Sequence, residues 1–392
     1  MENTNKIDRR KFFKLLAAGG IGTAFSPLLL QNIFAKQPPI TGTKPATNIN
    51  EALSYPRTLS SMPGRFPGKV AQIYHENCIT SNKIDQDAAG EMVKKGMLSL
   101  TGAGNISDAW KMFVSPNEVI GLKVNPIGGA LLSTSVEIVR SVIRQLEEAG
   151  IPKKNIVIWD RRMPDLEQAG FTEQNFPGIK ISATEFKDKN GSFYDANGKL
   201  YSEEMIDKKW YYWADVEEKY DAETIPYMIN EGKFSYFTKI VTQQVDKIIN
   251  IPILKNAGAS VTLALKNLAF GSISNTSRLH KELWAETCAE VCAFPPLRDK
   301  VVLNIVDGIK GCFQGGPGAN PQFFTEYKTV LVATDPVATD RIGYEIVIKK
   351  RIAENIQKTD SPRGRSFMDL AEKLQLGVAD LEKIKVEKIT IS

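Results

Sequence analysis

Short apolar runs alternate with amphipathic stretches along most of the chain. Val70 to Tyr74 reads as a strand, Asp87 to Leu100 has the spacing of a helix, and Val119 to Val124 reads as a strand of the buried type. Ser133 to Ala149 places Val136, Val139, Val142, Ile143 and Leu146 on one helical face, and Gly150-Ile151-Pro152 stops it before a strand at Asn155 to Trp159. Buried strands return at Lys247 to Leu254, Val301 to Val306 and Thr329 to Thr334. Asp335 to Lys349 predicts a helix whose acidic start and basic end suit its dipole. The closing Ile384 to Ile391 alternates and is expected to pair at a sheet edge. Strand, helix and strand joined by short returns predict an α/β fold, a mostly parallel sheet flanked by helices.

Two stretches break this rhythm. From about residue 178 to 237 the pattern changes to a hairpin signal, Asp195-Ala196-Asn197-Gly198, followed by Trp210, Tyr211, Tyr212 and Trp213. These residues predict an inserted hairpin and aromatic subdomain, either a lid or a satellite core. Residues 36–50 are rich in Pro, Thr, Asn and Gly and are expected to be a tether, so the α/β domain is placed at 51–392.

The start of the chain carries an address. Asp8-Arg9-Arg10-Lys11-Phe12-Phe13-Lys14 runs into an apolar stretch from Leu15 to Leu30, the form of a twin-arginine export leader over residues 1–35. The expected partner is the twin-arginine translocon, which carries folded proteins, and the expected destination is the periplasm or cell exterior. Ile33-Phe34-Ala35 is a loose cleavage site, and an uncleaved leader would leave a membrane anchor. Export in the folded state is most often tied to a cofactor inserted beforehand. Lys6, Arg9, Arg10, Lys11 and Lys14 against Glu2 and Asp8 put most of the formal charge of +5 in this segment, so the body is close to neutral. Lys153-Lys154 and Lys349-Lys350-Arg351 read as solvated helix ends, and no basic surface interleaved with aromatics points to nucleic acid. Beyond the leader, no apolar run reaches the roughly 18 residues of a membrane span.

Candidate chemistry collects where polar residues follow buried strands, the place where open α/β sheets gather ligands. Lys123 and Asn125 end one strand, Asp160, Arg161 and Arg162 the next, Lys255 and Asn256 a third, and Asp307 with Lys310 a fourth. Lys266 and Asn267 lie in an apolar helix-like stretch, where an amine is costly unless paired or used. Asp335-Pro336 reads most simply as a helix N-cap followed by Pro. The rim mixes cations with carboxylates and suits a small anionic ligand, or a metal held by Asp and Asn oxygens. Lys255, Lys266 and Arg278 are the expected anion binders. His280 and Asp307 are the expected proton carriers, His280 and His75 being the two histidines of the chain. The glycine-rich stretch from Gly308 to Asn320 lacks both phosphate-loop and dinucleotide spacing and reads as a flexible turn.

Four cysteines leave three readings open. Cys288 and Cys292 are spaced i,i+4, Cys312 lies in the glycine stretch, and Cys78 follows His75 by three residues. They could hold a metal ion or an iron–sulfur cluster, pair as disulfides in an oxidising compartment, or remain free and buried. No C-x-x-C, H-E-x-x-H or G-x-S-x-G occurs, which removes thioredoxin-like, zincin and α/β-hydrolase readings.

Several ordered blocks carry a family resemblance: Gly121-Leu122-Lys123-Val124-Asn125; Ile249 to Asn256 running into Val261 to Leu268; Asn304-Ile305-Val306-Asp307-Gly308; and Ala333 to Arg341. Over roughly residues 115–350 the chain resembles the bacterial and archaeal domain of unknown function 362 family. Some relatives carry ferredoxin-type cysteine motifs, so the resemblance implies a redox association, although that motif is missing here. Two functions of different class follow. One is an exported redox or metal-assisted enzyme working at the strand-end rim. The other is a periplasmic binding or accessory protein that holds a ligand there without chemistry.

Overall fold

The computed structural model describes residues 44–217, 232–258 and 260–392. The leader and most of the tether lie outside these residues. An eleven-stranded mixed sheet forms the frame. Its principal strands are β1 (Lys69–His75), β2 (Ile120–Val124), β3 (Ile156–Arg162), β4 (Lys180–Glu185), β5 (Lys247–Ile251), β6 (Ile253–Ala257), β7 (Ser260–Thr262), β8 (Val301–Cys312), β9 (Thr329–Ala333) and β10 (Lys385–Ile391). Across the sheet the order is β10-β1-β9-β8-β5-β2-β3-β4, with β6 beside β8 and β7 beside β6. Within that order β9 runs against its neighbours and the others are parallel. The α/β fold with a mostly parallel, helix-flanked sheet is thus present, and the closing strand pairs at an edge as its alternation predicts.

Two cores lie on opposite faces because successive strand residues point in opposite directions. Ala71, Ile158, Ile249 and Ile305 face one core with the helices α1 (Gln86–Thr101) and α2 (Val136–Glu148). Val70, Val157, Ile248 and Val306 face the other, with α3 (Ala264–Ser272), α4 (Ser277–Glu282), α5 (Trp284–Glu290), α6 (Pro336–Ala353) and α7 (Pro362–Lys373). Asp335 caps α6 through Ala338 N at 2.8 Å, as its Asp-Pro sequence implies. Among the described residues no helix is long and apolar enough to cross a membrane.

The structure changes two expected strand boundaries. Pro252 lacks an N–H, so the run from Lys247 to Leu254 is split into β5 and β6, with Asp307 N bonded to Pro252 O at 2.8 Å. β8 continues six residues past Val306, through Asp307, Gly308 and Lys310, where a loop is expected from the glycines. A Cβ on Gly308 would lie 2.7 Å from Thr329 O, and one on Gly311 2.8 Å from Tyr327, so these glycines permit close strand packing.

The expected tether is docked where it is described. Asn48 donates to Tyr211 O at 3.2 Å and accepts from Trp213 N at 2.8 Å, and Thr47 Oγ1 bonds Glu290 at 2.6 Å. The insertion begins later than expected, because β4 belongs to the main sheet. Beyond it, Ile206–Trp213 and Phe234–Thr238 form a separate two-stranded arm. Tyr212 and Phe237 of this arm are buried in the main core against Phe294, which makes them packing residues.

Candidate functional site

The carboxyl ends of β2, β3, β4 and β7, together with α3 and α4, enclose a cavity of about 270 Å³. It brings together Lys123, Asn125, Asp160, Arg161, Arg162, Lys266, Asn267 and His280 from the expected rim. Asp165, Glu185, Thr262, Phe270, Thr276 and Ser277 join them. Sequence reasoning missed Glu185 because β4 was placed in the insertion, although Ile179, Ile181 and Ala183 alternate up to it.

Lys123 is the organiser of the floor. Its fully buried ammonium donates to Asp160 Oδ1, to Val124 O at 2.8 Å and to Asn267 Oδ1 at 3.0 Å, so all three protons are committed. It is therefore a positioning residue and leaves no donor for a ligand. Asn267 Oδ1 also accepts from Asn125 Nδ2 at 3.1 Å, and its Nδ2 donates to Asn250 Oδ1 at 2.8 Å. Asn250 passes the chain on to Asn304 at 3.0 Å, and Asn304 ends it on Thr334 O at 3.1 Å. This line of buried amides ties β2, α3, β5 and β8 into one unit. Gly271 lets α3 approach the ion pair, since a Cβ there would sit 2.6 Å from Lys123 Nζ. Asp340 fixes the start of α3 by accepting from Ala264 N at 2.6 Å and Leu265 N at 3.0 Å, while burial pushes its carboxyl up to about 8.

Lys266 is held differently. Its buried amine reaches Thr262 Oγ1 at 3.4 Å and lies 5.7 Å from the centre of the Phe270 ring, and among the described residues it pairs with no carboxylate. Burial lowers its pKa, with a smaller opposing effect from Cys288. The other charges of the cavity balance one another. Asp160 faces Lys123, Glu185 faces Arg161 at 2.6 Å and Arg162 at 3.6 Å, and Asp165 also faces Arg162 at 3.6 Å. When protonated, Lys266 is the uncompensated cation. Two acceptors complete the cavity. Asn125 is 3% exposed, and its Oδ1 has no partner among the described residues. His280 Nδ1 lies 2.9 Å from Thr276 O; a carbonyl only accepts, so Nδ1 carries the proton and Nε2 keeps its lone pair. His280 is exposed at the cavity, and loss of part of its hydration there, with Lys266 beside it, lowers its pKa, so the ring is neutral at pH 7.

The remaining expected site residues lie elsewhere. Lys255 is buried in β6, donates to Ile127 O and to Leu132 O at 3.3 Å, and so pins the loop beside the cavity; burial, then Lys266, lowers its pKa to about 7. Asn256 bonds Gly258 O, Ser260 O and Gly316 N and serves the backbone. Arg278 points away and holds the two-stranded arm through Ala214 O, Val216 O, Lys233 O and Ser235 Oγ. Asp307 sits within β8, accepting from Ser135 N at 2.8 Å and Ile309 N at 3.1 Å; with Lys310 it lines a second cavity of about 720 Å³ on another part of the sheet. His75 accepts from Asn77 N at 3.1 Å on β1.

The cysteines do not converge on a cluster. Cys288 and Cys292 belong to one core, Cys78 to the other and Cys312 to a small third group. All four are free and buried, and among the described residues no three of His, Cys, Asp and Glu are grouped as metal ligands would be. Burial pushes the thiols of Cys288 and Cys292 well up, which opposes the thiolate a metal needs.

Residues 120–345 match the model of the family described as Domain of unknown function (DUF362). No curated protein matches the chain. Among solved structures, a protein from Thermotoga maritima is similar at 8% identity with a TM-score of 0.38, over 69% of this chain and 60% of that one.

Proposed function

The chain belongs to the domain of unknown function 362 family, and from that premise we propose that it is an exported protein whose strand-end cavity binds a small monoanion, a monocarboxylate above all. The observation that carries this reading is the buried Lys266 amine, which lines the cavity without a carboxylate partner while every other charge there is matched. A buried ammonium left alone costs several kcal/mol, on the order of the effective penalty for one desolvated ion. A ligand carboxylate would supply the missing charge, and Asn125 Oδ1 and His280 Nε2 would accept from ligand hydroxyl or N–H groups. A cavity of about 270 Å³ limits the ligand to a small molecule, below the roughly 300–1,000 Å³ of drug-sized sites. The carboxylates favour an anion over a metal, because Asp160 and Glu185 are already committed to Lys123, Arg161 and Arg162.

Thermal unfolding with a charge series tests the reading. Acetate and pyruvate should raise Tm saturably, and malonate and phosphate should do so less, because one uncompensated cation favours one negative charge. Equal shifts from all four, or none, would remove the proposal.

A further inference from the structure

We propose that Lys266 is a covalent group, its amine condensing with the carbonyl of a small 2-oxo acid to form an imine inside the cavity. This rests on the anion-binding reading and adds a reaction to it.

Three buried lysines sit in or beside this region, and their surroundings separate them. Lys123 has all its protons committed, one of them to a carboxylate. Lys255 is fixed to two backbone carbonyls and does not line the cavity. Lys266 lines it, touches one hydroxyl at 3.4 Å and an aromatic ring, and has no acid partner among the described residues. An amine used to hold charge is normally given a counter-ion, whereas a nucleophilic amine must be desolvated and able to shed its proton. Burial of the amine against the Phe270 ring, away from any carboxylate among the described residues, supplies that condition.

The step closes on itself. The Lys266 ammonium gives up a proton and attacks the carbonyl carbon, forming the C–N bond. The carbonyl oxygen leaves with two of the three ammonium protons as water, and a protonated imine remains. No oxidant, reductant or outside proton enters. His280, neutral and with its Nε2 lone pair unused among the described residues, is placed on the same cavity to move one of those protons. Asn125 Oδ1 is an unpartnered acceptor of the kind that the iminium N–H needs. The charge argues for an acid rather than a simple ketone, because the iminium keeps the uncompensated positive charge and a 2-oxo carboxylate neutralises it.

The test is borohydride trapping on the full chain with pyruvate as the probe, read by intact mass and by peptide mapping with a protease that does not cut at lysine. The expected result is one reduced pyruvyl group per chain, located on Lys266. It should be reduced by excess acetate and absent from Lys266→Met, whose apolar side chain suits the buried position. Wild-type peptide mapping alone decides the matter if the variant does not fold. Lys266 left unmodified, or labelled no more than surface lysines, overturns the covalent step. If acetate and pyruvate still raise Tm in that case, the anion-binding reading survives without it; if neither does, both fall.

Discussion

Replacing Lys123 by Met isolates what holds the cavity floor together. The substitution removes three hydrogen bonds from a fully buried ammonium and leaves Asp160, itself 5% exposed, without its counter-ion. Breaking a buried pair from one side costs about 3–5 kcal/mol, because the remaining charge stays desolvated. That is a large part of the roughly 5–15 kcal/mol stability of an ordinary domain. The double variant Lys123→Met, Asp160→Leu removes both charges and should recover most of the loss, since an apolar pair of similar volume replaces an ion pair at little cost. Urea unfolding of the wild type, both single variants and the double variant gives the cycle directly. A loss below about 1 kcal/mol for Lys123→Met, the range of a solvated surface pair, would refute the claim that this ammonium organises the site.

Three further outcomes follow from particular contacts. Gly271→Ala drives a methyl to within 2.6 Å of Lys123 Nζ, so it should destabilise the fold by about 1–3 kcal/mol and weaken acetate binding together; unchanged stability in urea would contradict the close approach of α3. The His280 pKa is lowered in the fold, so its contribution to stability is present above the unfolded value of about 6.5 and is lost as pH falls below it. His280→Gln should lessen the acid loss of stability only slightly, because solvent screens this exposed ring, and a steeper acid loss in the variant would refute the assignment. The buried thiols should resist an aromatic disulfide reagent in the native state and react on unfolding, whereas rapid native labelling of Cys288 or Cys292 would contradict their burial.

The sheet was largely legible in the sequence, because strands buried on both faces write themselves as continuous apolar runs and amphipathic helices show their period. The strand-end rule placed Lys123, Asn125, Asp160, Arg161 and Arg162 on what proves to be one cavity, and the cost of an amine in an apolar stretch and the scarcity of histidine added Lys266, Asn267 and His280. Where it failed, backbone geometry was responsible. Asp307 followed an apolar run and preceded glycines, the signature of a strand end, yet those glycines admit neighbouring chains and the strand runs on. Lys255 and Asn256 looked terminal because Pro252 was read through, while β6 carries them deeper into the sheet. Arg278 advertised an anion site, but four acceptors from the inserted arm, far off in sequence, account for its guanidinium. The i,i+4 cysteines share a helical face by local geometry alone, and tertiary packing puts the other two thiols in separate cores.

The central claim is that Lys266 is the uncompensated cation of a monoanion pocket, and calorimetric titration of acetate into the wild type and Lys266→Met at pH 7 tests it most directly. One saturable site per chain in the wild type, weakened tenfold or more in the variant while the two proteins unfold with the same cooperativity, is the result expected of a lost charge-assisted bond of about 1.5–3 kcal/mol. Equal affinity in both proteins would contradict the account.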